Sequence, residues 1–229
     1  MRLNWLKLRR WHHWLALIFG GQLVLWSLSG AVMVWLELSY VHGGHLLRSP
    51  PPLPTESSQL LAQAASDLPA AEQLTMAAEL GPELVLIHTA QDVQLYNINQ
   101  QQTVAVDAAF IAQQARRLHH VGAAPSKIEL LPTPPAEVSG WQQPVWQANY
   151  GGIEQPSLYF DPATGLLITQ RHNAWRAFDF MWMLHIMDYE ARADTGKCWL
   201  QLWSIGNLLL LGIGVMLLIP TIRRWRGGA

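Results

Sequence analysis

From Trp14 to Leu36 the chain reads WLALIFGGQLVLWSLSGAVMVWL, 23 residues without a charged side chain. That is long enough to cross a bilayer as a helix, which satisfies its own backbone hydrogen bonds in hydrocarbon. A secretory signal would show a shorter apolar core, of about 7 to 15 residues, ending at a small-residue cleavage site. Here Ser29-Gly30-Ala31 lies inside the run and nothing after Leu36 resembles such a site, so the pattern predicts an uncleaved anchor. A second uncharged run of 21 residues, Trp199 to Ile219, is closed by Pro220. The chain is thus predicted to span a membrane twice, at 14–36 and 199–219.

Between the spans the pattern changes. The prolines of Ser49-Pro-Pro-Pro-Leu-Pro54 forbid helix and make 37–54 an extended linker. Residues 55–171 then alternate between two periods. TESSQLLAQAASDL has apolar residues at helical spacing with Thr55 as the expected N-cap, and PAAEQLTMAAEL, with Pro69 early, is expected to continue as helix until Gly81-Pro82. ELVLIHT and DVQLYNI read as a hairpin, and TVAV as a third short strand. Asp107 caps a second amphipathic helix, DAAFIAQQARRLHH, that stops at Gly122 with cations in its last turn. The strands KIELL, VWQANYG, SLYF and LLITQ follow. Helix, strands, helix, strands is the order of a duplicated α+β unit.

The last two strands flank Asp161-Pro-Ala-Thr-Gly165, with Pro second and Gly where positive φ is needed. Asp161 is expected to hydrogen-bond its own backbone there. From 172 to 198 an interfacial segment is predicted, with Trp175, Phe178, Trp182, His185 and Tyr189 near one helical face and the polar stretch Glu190 to Lys197 leading to the second span.

Half the residues are hydrophobic and 14% are charged, but the distribution of charge says more than these totals. Arg2, Lys7, Arg9 and Arg10 precede the first span and Arg223, Arg224 and Arg226 follow the second, whereas all 16 acidic residues lie between Glu37 and Asp194. The positive-inside rule places segments 1–13 and 220–229 in the cytoplasm and the middle of the chain outside, which in a Gram-negative cell is the periplasm. The single cysteine, Cys198, allows no intrachain disulfide. Trp5, Trp11, Trp14, Trp35, Trp199 and Trp225 fall near span ends, where indole rings settle at headgroup depth. Gln22 and Asn207 sit near mid-span and are expected to bond to each other or across a dimer. Gly20-Gly21, Gly206, Gly212 and Gly214 would let helices approach closely.

Histidines are the residues with chemistry to offer. Imidazole is a good axial ligand for haem iron, and a histidine at membrane depth is a functional hypothesis by default. His12 and His13 lie at one end of the first span, His42 and His45 just past the other, and His185 on the interfacial helix. An outer haem could use His185 with His42 or His45, its propionates facing Arg48, Arg171 or Arg176. An inner haem on His12 or His13 would need a mate from a second copy or another subunit. Plainer readings stand beside these: His12 and His13 as headgroup-depth polar residues, His42 and His45 in a solvated loop broken by Gly43-Gly44, and His185 as a packing histidine. His88, His119, His120 and His172 are read as surface or capping residues.

The Arg9-Arg-Trp-His-His-Trp-Leu15 opening, Ser29-Gly30 deeper in the first span, the Phe160-Asp-Pro-Ala-Thr-Gly165 turn and the Leu184-His185 pair together resemble the PepSY-associated transmembrane family over nearly the whole chain. That resemblance implies a membrane α+β protein in which two helices flank a periplasmic PepSY-like domain. Family members include inner-membrane ferric-siderophore reductases that carry b-type haem on helix histidines, and others joined to cytoplasmic flavin or iron-sulfur reductase modules. By the resemblance, His12 and His185 are the aligned iron ligands, haem b the cofactor, and electron transfer across the membrane the activity. Its partners would be membrane lipid, a cytoplasmic reductase, a periplasmic acceptor such as a ferric chelate, and a second copy or another subunit. Two features depart from the family pattern: Ala16 replaces its usual Gly, and the known reductases have more spans.

The rival reading is a membrane-tethered binding or regulatory module acting on a partner protein or peptidase. The sequence has no phosphate loop, HExxH, Gly-x-Ser-x-Gly or paired-Cys motif, and eight basic against 16 acidic residues between the spans give no surface for nucleic acid.

Overall fold

A computed structural model of the chain describes residues 4–68, 71–189 and 198–227. In order, the elements are α1 (Trp5–Trp35), α2 (Leu38–Val41), a 3-10 turn (Gly44–Leu46), α3 (Ser57–Asp67), β1 (Gln73–Met76), β2 (Leu84–His88), β3 (Val93–Asn97) and β4 (Gln102–Thr103). They continue with α4 (Ala108–Leu118), β5 (Lys127–Leu131), β6 (Val145–Asn149), β7 (Ser157–Phe160), β8 (Leu167–Arg171), α5 (Asn173–Ile186) and α6 (Cys198–Gly227). They form two compact units: residues up to Glu37 with those from Ala177 onward, and Leu38–Arg176.

In the helical unit, α1 and α6 are both long and apolar enough to cross a membrane. α1 runs 31 residues, about 46 Å at helical rise, and begins at Trp5 rather than Trp14 because Leu6 to Arg10 are good helix formers. Asn4 caps it, its Oδ1 accepting from the Lys7 amide at 3.3 Å. Pro220 does not end α6, which continues to Gly227. The proline removes one backbone donor, a loss that spanning helices tolerate. Close approach of the two helices is built at Gly206, where a Cβ would lie 2.1 Å from Phe19 Cε1, and Phe19 meets Trp203 edge to face at 5.0 Å. Gly214 is also in the contact, whereas Gly20, Gly21 and Gly212 have nothing within 4 Å among the described residues.

The α+β unit is a duplicated helix-plus-meander. Each half is one helix followed by four antiparallel strands, in orders β1-β2-β3-β4 and β5-β6-β7-β8. Where a second helical piece is expected, Gln73–Met76 is instead strand β1, paired antiparallel with β2 from Gln73↔His88 to Met76↔Val85. Its helix-forming composition loses to the apolar strand beside it, since propensity is weaker than tertiary pairing. Pro69 lies outside the described residues. The helix expected from Thr55 begins at Ser57, with Glu56 in the cap position and no side-chain cap bond.

β2 is buried on both faces. Val85 and Ile87 pack with Ala64, Tyr96 and Ile98 beneath α3, while Leu84 and Leu86 pack with Leu80 and Leu95 on the other side. In the second half Ile111, Ala115 and Leu118 of α4 cover Ala148, Leu158 and Phe160, and Val138, Val145 and Tyr159 form a cluster of their own. Phe110 touches clusters from both halves and joins them. Each Val, Leu, Ile or Phe so buried contributes about 1.5–3 kcal/mol. The expected cap and turn are present: Asp107 Oδ1 accepts from the Phe110 amide at 2.8 Å, and Asp161 Oδ1 from the Ala163 amide at 3.0 Å. α5 stops at Ile186, where Met187 takes φ +55. The Glu190 to Lys197 stretch lies outside the described residues.

Candidate functional site

The helical unit holds an apolar cleft of about 740 Å³ between α1 and α6, within the usual range for a small-molecule or cofactor site. His12, Trp26, Ser204, Asn207 and Gly214 are among its lining residues. A Cβ on Gly214 would stand 3.2 Å from His12 Cε1, so the glycine makes room for the imidazole. His12 Nδ1 is buried and has no hydrogen-bond partner among the described residues; neither have Trp26 Nε1 and Asn207 Oδ1. Gln22 and Asn207 do not satisfy each other. Asn207 Nδ2 donates back to the Trp203 carbonyl at 2.9 Å, and Gln22 Nε2 is unpartnered. The cleft therefore collects polar atoms whose needs this helix pair leaves unmet.

His13 differs from its neighbour. It is exposed, and its Nδ1 lies 2.8 Å from the Arg9 carbonyl four residues back, which makes it a donor engaged with its own helix.

His185 lies against α1. Its Nδ1 is 3.1 Å from Ser29 Oγ, its ring 6.4 Å from that of Trp26, and Gly30 is beside its Cε1. The Ser29 hydroxyl donates to the Leu25 carbonyl at 2.7 Å, so it accepts from His185. This assigns the hydrogen to Nδ1 and leaves Nε2 with a lone pair, the tautomer a ligating histidine uses.

His42 and His45 belong to the α+β unit. Gly43 between them takes φ +73, ending α2 as its sequence implies. His42 is exposed, and its backbone carbonyl accepts from Gln170 Nε2 at 2.9 Å. His45 is not in a plain solvated loop. It stacks on Tyr40 at 4.5 Å, and its Nε2 is 3.3 Å from Glu154 Oε1. The same oxygen accepts from the Tyr40 hydroxyl at 2.5 Å. That hydrogen bond, with the neighbouring His45, holds the Glu154 carboxyl below its ordinary range, and the same carboxylate pushes the Tyr40 phenol up.

His172, read as a surface or capping residue, is 1% exposed. Its ring stands 5.3 Å from that of His45. Neither His172 nor Glu154 was legible as a site residue, since each meets His45 only through folding of more than a hundred intervening residues. The arginines expected near propionates are already bonded: Arg48 donates to the His120 carbonyl, Arg171 to the Glu137 carbonyl, and Arg176 makes an ion pair with Glu137.

Comparison with curated proteins and with solved structures gave no match. A family model described as the PepSY-associated TM region matches residues 9–229. With two apolar helices around a duplicated α+β unit, this chain belongs to the PepSY-associated transmembrane family.

Proposed function

We propose that the chain is an inner-membrane electron-transfer protein that binds b-type haem in the α1–α6 cleft. In this reading it passes electrons from a cytoplasmic flavin or iron-sulfur reductase to a periplasmic acceptor such as a ferric chelate. The observation that carries the reading is His12: an imidazole at the edge of an apolar cleft, its Nδ1 buried without a partner and a glycine opposite its ring. The donor set fits. An orphaned imidazole nitrogen suits iron, and apolar walls suit a porphyrin.

When bound, haem iron supplies the one-electron couple. The chain's own part is to hold and shield. His12 would present a nitrogen in the cleft, with α6 beside it. His185 packs against Ser29, about 25 Å further along α1 at helical rise, and would serve a separate, outer haem, with Ser29 fixing its tautomer. A second copy or another subunit would provide what the cleft lacks on its open side. The charge asymmetry supports cytoplasmic termini.

Spectra of the full-length protein purified from haem-replete cells test this. A Soret band and a dithionite-reduced α band are expected, the cleft haem's share lost in His12→Ala, an outer haem's share lost in His185→Ala, and both kept in His88→Ala. A colourless protein, or a His12→Ala variant with the full spectrum, would overturn haem ligation at this cleft and favour the tethered binding module.

A further inference from the structure

The α+β unit carries a second constellation that the haem reading does not use. One ring nitrogen each of His45 and His172 and one carboxylate oxygen of Glu154 lie within 4.8 Å of one another. We propose that these three residues form a binding site for a single divalent transition-metal ion of the zinc or ferrous class.

The donor chemistry is that of known two-histidine, one-carboxylate centres, in which two neutral imidazoles and one anionic oxygen leave further positions on the metal open. The hydrogen-bond geometry already suits such a centre. The Tyr40 hydroxyl donates to Glu154 Oε1 at 2.5 Å and fixes the orientation of the carboxyl group. His172 Nε2 lies 3.1 Å from the carbonyl oxygens of both Tyr40 and Val41, and carbonyls only accept, so Nε2 carries the hydrogen. Nδ1 is then a bare lone pair, and it is buried without a hydrogen-bond partner among the described residues. A histidine whose one nitrogen donates to backbone oxygen while the other is free is in the state that metal ligation requires.

The backbone around the cluster is specified. A Cβ on Gly43 would come within 3.4 Å of His172 Cδ2 as well as close to Leu46 and Gln170, and its φ of +73 already disfavours a side chain. On the far side, the Glu154 carbonyl accepts from the Asn173 amide at 2.8 Å, tying the β6–β7 loop to the residue after His172. Ligands bound at about 2.1 Å in tetrahedral geometry are about 3.4 Å apart. His45 Nε2 and Glu154 Oε1 are already 3.3 Å apart, so only the wider spacings of the cluster, up to 4.8 Å, must close. His45 and Glu154, whose side chains are 35% and 36% exposed, can move to do so, while His172 stays fixed. The site joins the two points where the chain enters and leaves the α+β unit, since that unit runs Leu38–Arg176. A bound ion would clip them together.

Cobalt(II) titration of the untagged, chelator-treated full-length protein in detergent tests the site, because cobalt reports its ligands by visible d–d absorption. One ion per chain is expected. His45→Ala and Glu154→Gln, both at accessible positions, should each weaken binding at least tenfold, zinc should displace the cobalt, and His88→Ala should bind like the wild type. Absence of a d–d band in the wild type would overturn the proposal, as would His45→Ala and Glu154→Gln variants that bind cobalt as tightly as the parent. The readout does not depend on haem, whose Soret band is scored separately in the same samples.

Discussion

The two halves of the α+β unit follow one plan and diverge in how they are finished. Each places a helix before a four-stranded meander, and each turns between its third and fourth strands through a residue in the left-handed region. In the first half that residue is Gln101, at φ +50; in the second it is Gly165, at φ +69. The first half ends in a two-residue strand, β4, whereas β8 runs five residues and delivers His172 and then Arg176. α3 reaches its C-cap at apolar Leu68, and α4 at His119. Duplication thus supplies a scaffold twice and leaves one copy free to acquire polar and ligating groups.

The difference at the turn gives the largest expected effect. A Cβ on Gly165 would lie 2.4 Å from Phe110 Cε1, in addition to the strain of its positive φ. Phe110 is the side chain that joins the two halves, so it has little room to yield. Gly165→Ala should lower stability by about 2–4 kcal/mol, read as thermal unfolding of the full chain followed by circular dichroism. An unchanged midpoint would mean that the Phe110 junction is looser than this packing.

Next in size is a clamp in the second half. Arg176 binds Glu137 through Nε to Oε2 at 2.9 Å and Nη2 to Oε1 at 3.1 Å, and Glu137 also accepts from the Tyr159 hydroxyl. Removing the guanidinium leaves a mostly buried carboxylate without its cation. Arg176→Ala should cost about 2 kcal/mol, less than for a fully buried pair because Arg176 is a third exposed. Arg176→Lys, which keeps the charge but not the fork, should recover part of the loss. If Lys and Ala behave alike, the bidentate geometry and not the charge is what matters.

These contrasts also show where sequence reading stops. The two spans, the Asp107 cap and the Asp161–Gly165 turn are decided by residues within a few positions of one another, and each was legible. β1 was not, because Ala, Glu, Leu and Met in AAEQLTMAAEL favour helix and only the partner strand Leu84–His88 reverses the choice. His45 was singled out for its place beside a span, but its partners His172 and Glu154 come from the end of β8 and the β6–β7 loop. No spacing rule links those positions. His12 stood out in the sequence for its place at one end of the first apolar run, while the cleft that faces it depends on Gly214, some two hundred residues away.

A smaller effect, of opposite sign, is expected at the first-half turn. Gln101 has a Cβ at positive φ, whereas its counterpart is glycine. Gln101→Gly should raise stability by up to about 1 kcal/mol, the left-handed strain relieved minus the greater freedom of glycine in the unfolded chain. A loss of stability would show that the Gln101 side chain makes contacts worth more than that strain.

The smallest expected effect is a pH dependence confined to the second half. His119 is buried against Tyr150, with the ring centroids 4.4 Å apart, and His120 stands beside it at 4.6 Å. Burial first, and the His120 charge second, hold its pKa below the ordinary histidine value. The folded state therefore favours neutral imidazole, while the unfolded chain takes up a proton near the ordinary value of about 6.5. The stabilisation is fully present above that pH and is lost as pH falls through it towards the lower folded value. His119→Leu gives α4 the C-cap residue type that α3 has at Leu68, and with it no proton to bind. Unfolding midpoints of the two proteins, measured from pH 8 to 5, should keep a constant difference above about pH 7 and shift in favour of the variant below it. Taking the difference removes the acid response of the carboxylates common to both chains. Parallel curves across the whole range would mean that His119 protonates as readily in the folded chain as in the unfolded one.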